Sequence, residues 1–377
     1  MWLMKTLLTS GCTNQRGAGH ILVRNKLREI SESPYFSKDM HKYLSVLQEA
    51  VDKLYEKHGT IADEIITECT FFITNAVNFF TGSTTKKIPY EIVYCLNDAC
   101  KKWISEETLI TTALSPDMHG FYFRSVSKQS YDLLEQTLGI SFEAELIQIS
   151  LPEMYRRRPL CSTPLYHELG HFVDFSKGIS ELAILNYRSV NQGTLPIPKG
   201  PQGIVEWATL PDFIWLNHCK EFFADLFSAQ FVGKSGVEFL YKLAGSHPAS
   251  DTHPSTENRI KIVNDFLNNV KNPVVDMFNA VISALHKQGK IISPSLTLPL
   301  NLLDVKTTFD NVRPFVINNH NEMHAFINSS WQYLCTEWEN PTGIWKGLSK
   351  ESIEKTINDL VEKSIRNVMI LEKWSAQ

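Results

Sequence analysis

The sequence has no pair of cysteines at Cys-x-x-Cys spacing. Its seven cysteines are odd in number and scattered from Cys12 to Cys335, which argues against a disulfide framework and against a thiolate zinc knuckle. The lack of a disulfide framework favours a reducing compartment, and a cytoplasmic location is expected. Nor is there an uninterrupted apolar run near the ~20 residues that span a bilayer. The most apolar segment, IADEIITECTFFITNAVNFF, carries Asp63, Glu64 and Glu68, so it reads as a buried helix of a soluble protein. The opening MWLMKTLLTSGC has one lysine and too short an apolar stretch for an export signal. Positive charge is not in excess: 37 Lys and Arg stand against 41 Asp and Glu, for a net charge of −4. That balance gives no electrostatic case for a nucleic-acid partner. The run Arg156–Arg158 reads as a solvated turn before Pro159. Internal repeats are absent too.

What is present is a chain of 377 residues, 43% apolar, long enough for a sizeable core and two or three subdomains. From about Ile21 to Gly82 the apolar positions Ile61, Ile65, Cys69, Phe72 and Phe80 follow helical spacing. YEIVYCL and GFYFRSV look strand-like, while SKQSYDLLEQTLG looks helical. IQISL, from Ile147 to Leu151, alternates and predicts a strand with one wet face. Asn191–Pro211 is dense in proline and glycine and predicts a long surface loop. The end returns to helix, with Ile353, Ile357, Leu360, Val361, Ile365 and Val368 forming a core-facing stripe.

The stretch TPLYHELGHFVDFSKG carries the chemistry. Thr163 suits an N-cap, Pro164 the first helical position and Gly178 the C-terminal stop. On such a helix His167 and His171 lie one turn apart, where both imidazoles reach one ion, and Glu168 lies beside them where an activated water would sit. Two neutral nitrogen ligands and a carboxylate base are the parts of an H-E-x-x-H zinc site. Gly170 leaves room for another element to approach closely. The metzincin position for a third histidine is occupied by Lys177. HCKEFFADLFSAQFVG supplies an alternative: Glu221 and Asp225 share one stripe of a helix otherwise covered by Phe222, Phe223, Leu226, Phe227 and Phe231. Buried carboxylates are costly unless paired or bound to a metal. Glu221 is therefore a candidate third ligand, with Asp225 accepting the free N–H of a ligating histidine. His218 shares that face and is a rival ligand.

A third segment, SDTHPSTENRIKIVNDFL, places His253 before Pro254 and an amphipathic helix. Together HELGH, EFFAD and THPSTENRI resemble the gluzincin metallopeptidases of the CAAX prenyl protease and HtpX type, over roughly Leu146–Leu267. That resemblance implies a zincin-like core with a small sheet at 141–270; with the helical patterns of 1–140 and 271–377 on either side, the expected fold is α+β, mainly helical. It implies one zinc per chain held by His167, His171 and Glu221, with Glu168 as general base and Asp225 orienting a ligand. It also implies that His253 and Arg259 approach the metal site or the polarised carbonyl. The expected substrate is a protein or peptide; an inactive zinc-binding scaffold and a metallohydrolase of another bond are the alternatives. Unlike many members, the chain has no membrane span. The Asn191–Pro211 loop is expected to flank or cover the substrate groove.

Overall fold

A computed structural model describes residues 13–33, 36–57, 59–83, 90–118, 120–190 and 212–375. The predicted loop Asn191–Pro211 and the opening segment up to Cys12 lie outside the described residues. The chain is mainly helical with one three-stranded sheet of order β1-β3-β2. Among the described residues no helix is long and apolar enough to cross a membrane.

The chain divides into two compact units, one of residues 1–88, 106–114 and 124–149, the other of residues 89–105, 115–123 and 150–377. The first unit holds helices α1 (Thr13–Ser31), α2 (Lys38–Glu56), α3 (Asp63–Gly82) and α5 (Lys128–Leu138). It also holds most of strands β1 (Glu107–Ser115) and β3 (Ala144–Pro152). Its core gathers Leu27, Leu44, Leu47, Phe72, Phe80, Leu134 and Leu146. Ser37 and Ser127 accept backbone N–H bonds at the starts of α2 and α5, satisfying donors that the first turn leaves free.

β3 is the central strand, and the expectation of one wet face does not hold. Every residue from Leu146 to Pro152 is buried. Of its buried polar side chains, Gln148 donates to the Phe79 carbonyl at 3.2 Å. A buried polar residue that finds a bonded partner looks, in sequence, the same as one facing water.

The second unit begins with α4 (Tyr90–Lys101). This is the YEIVYCL segment, a helix rather than the expected strand. Its buried Ile92, Leu96 and Ala99 recur at helical spacing, a period too short to read within seven residues. β2 (Tyr122–Ser125) crosses from this unit to the first. The helices that follow are α6 (Pro164–Lys177), α7 (Ile179–Val190), α8 (Asp212–Val232), α9 (Ser235–Ala244), α10 (Thr256–Leu267) and α11 (Pro273–Lys287). The short α12 (Lys306–Asp310), then α13 (His320–Glu339) and α14 (Lys350–Ser375) complete the unit. The stripe expected at the C-terminus is buried from Ile353 to Val368.

α6 ends as expected, with Gly178 in the left-handed region at φ 62° and its N–H on the Asp174 carbonyl. Its start differs. Thr163 is already helical (φ −57°, ψ −29°) and makes no cap bond. Its hydroxyl instead donates to the Leu160 carbonyl at 3.2 Å, because a 3₁₀ turn at Pro159–Ser162 runs directly into the helix.

Candidate metal centre

α6 and α8 pack against each other, and their backbones approach closely at Gly170. A Cβ at Gly170 would lie 2.8 Å from the Ala224 Cα and 3.0 Å from the Phe227 Cβ. No larger residue fits there without moving α8. This approach brings His167 and His171 opposite Glu221, one helical turn before Asp225. Apolar packing holds the arrangement from behind: Leu165, Leu169, Phe172 and Val173 on α6, with Phe222, Phe223, Leu226 and Phe227 on α8, are almost fully buried.

His167 Nε2 lies 3.4 Å from Glu221 Oε2, and His171 Nε2 lies 3.3 Å from Glu221 Oε1. One donor atom from each of the three residues lies within 4.8 Å of the others, so the group can hold a metal ion. The 3.3–3.4 Å separations exceed the ~2.7–2.9 Å of a charge-assisted hydrogen bond. Separations of this size leave room for a small cation among the three donor groups. The residues present therefore fit a small cation.

Charge points the same way. Among the described residues, Glu168, Glu221 and Asp225 bring three carboxylates to bear on the Arg259 guanidinium. Burial would lower the pKa of His167, but the Asp225 and Glu221 carboxylates outweigh it and push it up to about 10. Without a metal, the carboxylates thus draw a proton onto His167, the positive charge that a cation otherwise supplies. Burial opposes ionisation of Glu221, yet His167, His171 and Arg259 hold its carboxyl well below the usual range.

Asp225 is almost fully buried and has two partners. Arg259 grips it through Nε and a terminal nitrogen, both at 2.7 Å. Its Oδ1 also lies 2.9 Å from His167 Nδ1, although that N–H is not squarely aligned for a full hydrogen bond. The other Arg259 nitrogen reaches Glu221 Oε2 at 3.2 Å. Arg259 is thus engaged with the two buried carboxylates of α8.

His253 is more than half exposed, with Nε2 3.6 Å from Glu221 Oε1. Glu168 is partly buried on α6 and acts electrostatically on Arg259. All seven residues singled out in the sequence therefore converge. His218, the rival ligand, does not join the donor group. It is completely buried, and its Nε2 donates to the Ser250 carbonyl at 2.6 Å. Sequence reasoning missed Phe123, whose ring stacks on His171 at 6.3 Å between centroids and 19° between planes. Nothing local marks it, since it comes from a strand about fifty residues earlier. No family model, curated protein or solved structure matches the chain.

Proposed function

We propose that the chain is a zinc-dependent metallopeptidase with a zincin-like core. The observation that carries this reading is the convergence of His167, His171 and Glu221, with donor atoms within 4.8 Å of one another and a glutamate directly following the first histidine. The likeness of HELGH, EFFAD and THPSTENRI to the CAAX prenyl protease and HtpX type supports it. In this reading His167 and His171 bind zinc through Nε2 and Glu221 through its carboxylate. When bound, zinc supplies a Lewis acid that polarises the scissile carbonyl and eases deprotonation of a water.

The remaining steps belong to the chain. Glu168 accepts the proton of the attacking water and returns it to the leaving amine. Asp225 fixes the His167 ring from the far side of its ligating nitrogen, as a carboxylate behind a metal-bound histidine does. Arg259 neutralises Asp225 and steadies Glu221, so it acts by position rather than on the substrate. His253 presents Nε2 toward the carbonyl oxygen, where developing negative charge is stabilised. The substrate is a protein or peptide.

The deciding experiment pairs metal analysis with cleavage of casein or a peptide library, for the native chain and for Glu168→Gln. About one zinc in both, with hydrolysis only in the native chain, is the expected result. Hydrolysis unchanged in Glu168→Gln would place the activity elsewhere; zinc without hydrolysis in either would favour a binding protein.

A further inference from the structure

His253 poses a structural problem. It sits within reach of a metal ligand, yet every residue from Ser246 to His253 is exposed. Apolar burial therefore does not set its place, and a segment so poorly packed is expected to open readily. Only at Pro254 does the chain return to the interior.

Polar bonds hold it instead, and they come from α8. His218 Nε2 donates to the Ser250 carbonyl at 2.6 Å, and the adjacent Asn217 donates through Nδ2 to the Asp251 carbonyl at 3.1 Å. Ser250 passes the constraint on. Its N–H donates to the His253 carbonyl at 2.8 Å, and its hydroxyl accepts the His253 N–H at 3.1 Å. Thr252 Oγ1 then lies 2.8 Å from His253 Nδ1 and sets the ring. Because the Glu221 carboxylate faces Nε2, the proton belongs on Nε2, and the Thr252 hydroxyl donates to Nδ1.

We propose, resting on the peptidase reading above, that His218 and Asn217 are positioning residues that hold the Ser250–His253 turn, so that the His253 Nε2–H faces the metal centre. The helix that supplies Glu221 thereby also fixes the oxyanion donor, one turn earlier. Ligand and donor share one rigid element, which keeps their separation constant while substrates enter and leave. His218 does this from three residues before Glu221, on the same face, without being a ligand.

The test uses the full chain with three variants and two readouts. His218→Phe keeps ring volume and removes the donor; His218→Gln restores a side-chain N–H; Asn217→Ala removes the second bond at a half-buried position where folding is not at risk. Hydrogen exchange of the Ser250 and His253 amides, with and without zinc, reads the turn directly. In His218→Phe it should quicken about 10-fold or more, while exchange in α6 and α8 stays unchanged. Zinc content and KM should hold, with kcat falling about 10- to 100-fold, the range for a catalytic group displaced by roughly 1 Å. His218→Gln should recover both, and Asn217→Ala should show the same pattern at about 3-fold. Unchanged exchange in both His218→Phe and Asn217→Ala overturns the proposal. So does faster exchange with unaltered kcat, or loss of zinc in His218→Phe, which would return His218 to the ligand set. Wild-type protein that binds zinc but cleaves no peptide would end the peptidase reading alone; the exchange data then decide the tether by themselves.

Discussion

Two clusters in the second unit use nearly the same residue types and come out opposite. The first is His167, His171, Glu221 and Asp225 with Arg259. The second is His320, His324, Asp98 and Glu372 with Lys102, where α13 meets α4 and α14. In the second, every group has a bonded partner. Asp98 accepts from His320 Nδ1 at 2.6 Å, and its other oxygen from His324 Nε2 and Lys102 Nζ, both at 2.8 Å. His324 Nδ1 accepts the Tyr166 hydroxyl at 2.9 Å, and His320 Nε2 meets Glu372 and Tyr94. Burial opposes ionisation of Asp98, but its bonds to His324 and Lys102 hold it well below the usual range. His320, despite burial, is raised by Glu372 and Asp98. Two carboxylates are matched by two cationic groups. At the first cluster the Nε2 atoms of His167 and His171 face the Glu221 oxygens across gaps of 3.3–3.4 Å, and Glu168 adds a further carboxylate acting on Arg259. Histidines beside acids are therefore not by themselves a metal site. Two nitrogens and a carboxylate converging across such gaps distinguish the first cluster from the second.

The sharpest way to break this contrast is to remove a donor from each cluster. His171→Ala or Glu221→Ala should lower bound zinc from about one per chain to below ~0.1, since two protein ligands hold zinc poorly. Asp98→Asn should leave zinc untouched in the same metal analysis and cost about 1–3 kcal/mol in urea unfolding, because its amide N–H₂ opposes the donors of His324 and Lys102. Zinc lost from Asp98→Asn as fully as from His171→Ala would erase the distinction.

Next in size is Glu168→Gln. The amide keeps the shape and cannot take a proton, so turnover should fall by about 10²–10⁴-fold at unchanged zinc occupancy. Gly170→Ala follows. Its methyl would overlap the Ala224 backbone, so overpacking should destabilise the chain by about 1–3 kcal/mol and weaken zinc binding. A variant with native melting and native zinc affinity would show that the close helix approach is not needed.

The smallest effect is a count of protons. The folded pKa of His167 is raised, so its proton stabilises the metal-free chain fully below about pH 6.5, and that contribution is lost as pH rises through about 10. Near pH 7.5 a cation must displace that proton. Calorimetry in buffers of differing ionisation heat should therefore report about one proton released per zinc. No release would mean that His167 is already neutral in the metal-free chain.

The centre was legible because its information is local. Residues four apart on a helix share a face whatever surrounds them, so spacing placed His167 with His171 and Glu221 with Asp225, while joining the two pairs in one site rested on the resemblance of the three motifs. Arg259 was legible as a neighbour but not as the partner of Asp225, since a guanidinium's choice among nearby carboxylates depends on packing. YEIVYCL failed because seven apolar-rich residues satisfy both periods. IQISL failed because Gln148 and Ser150 look like surface residues until the strand's neighbours are known. His218 was read as a possible ligand because its partner, a backbone carbonyl 32 residues on, carries no side-chain signature.

The glycine contact between α6 and α8 has one more consequence. Side chains that reach across a fixed gap form an aperture whose width is set before any ion arrives. Gly170 and Ala224 set how closely the two helices approach, and with it that width. A larger ion must prise apart helices whose packed faces resist separation, and a smaller one leaves some ligands at a stretch. Irving–Williams preference alone would favour copper over zinc at such a site. Copper and zinc ions are nearly equal in radius, so a rigid aperture selects between them by coordination shape, and it is built from the absence of a single methyl group.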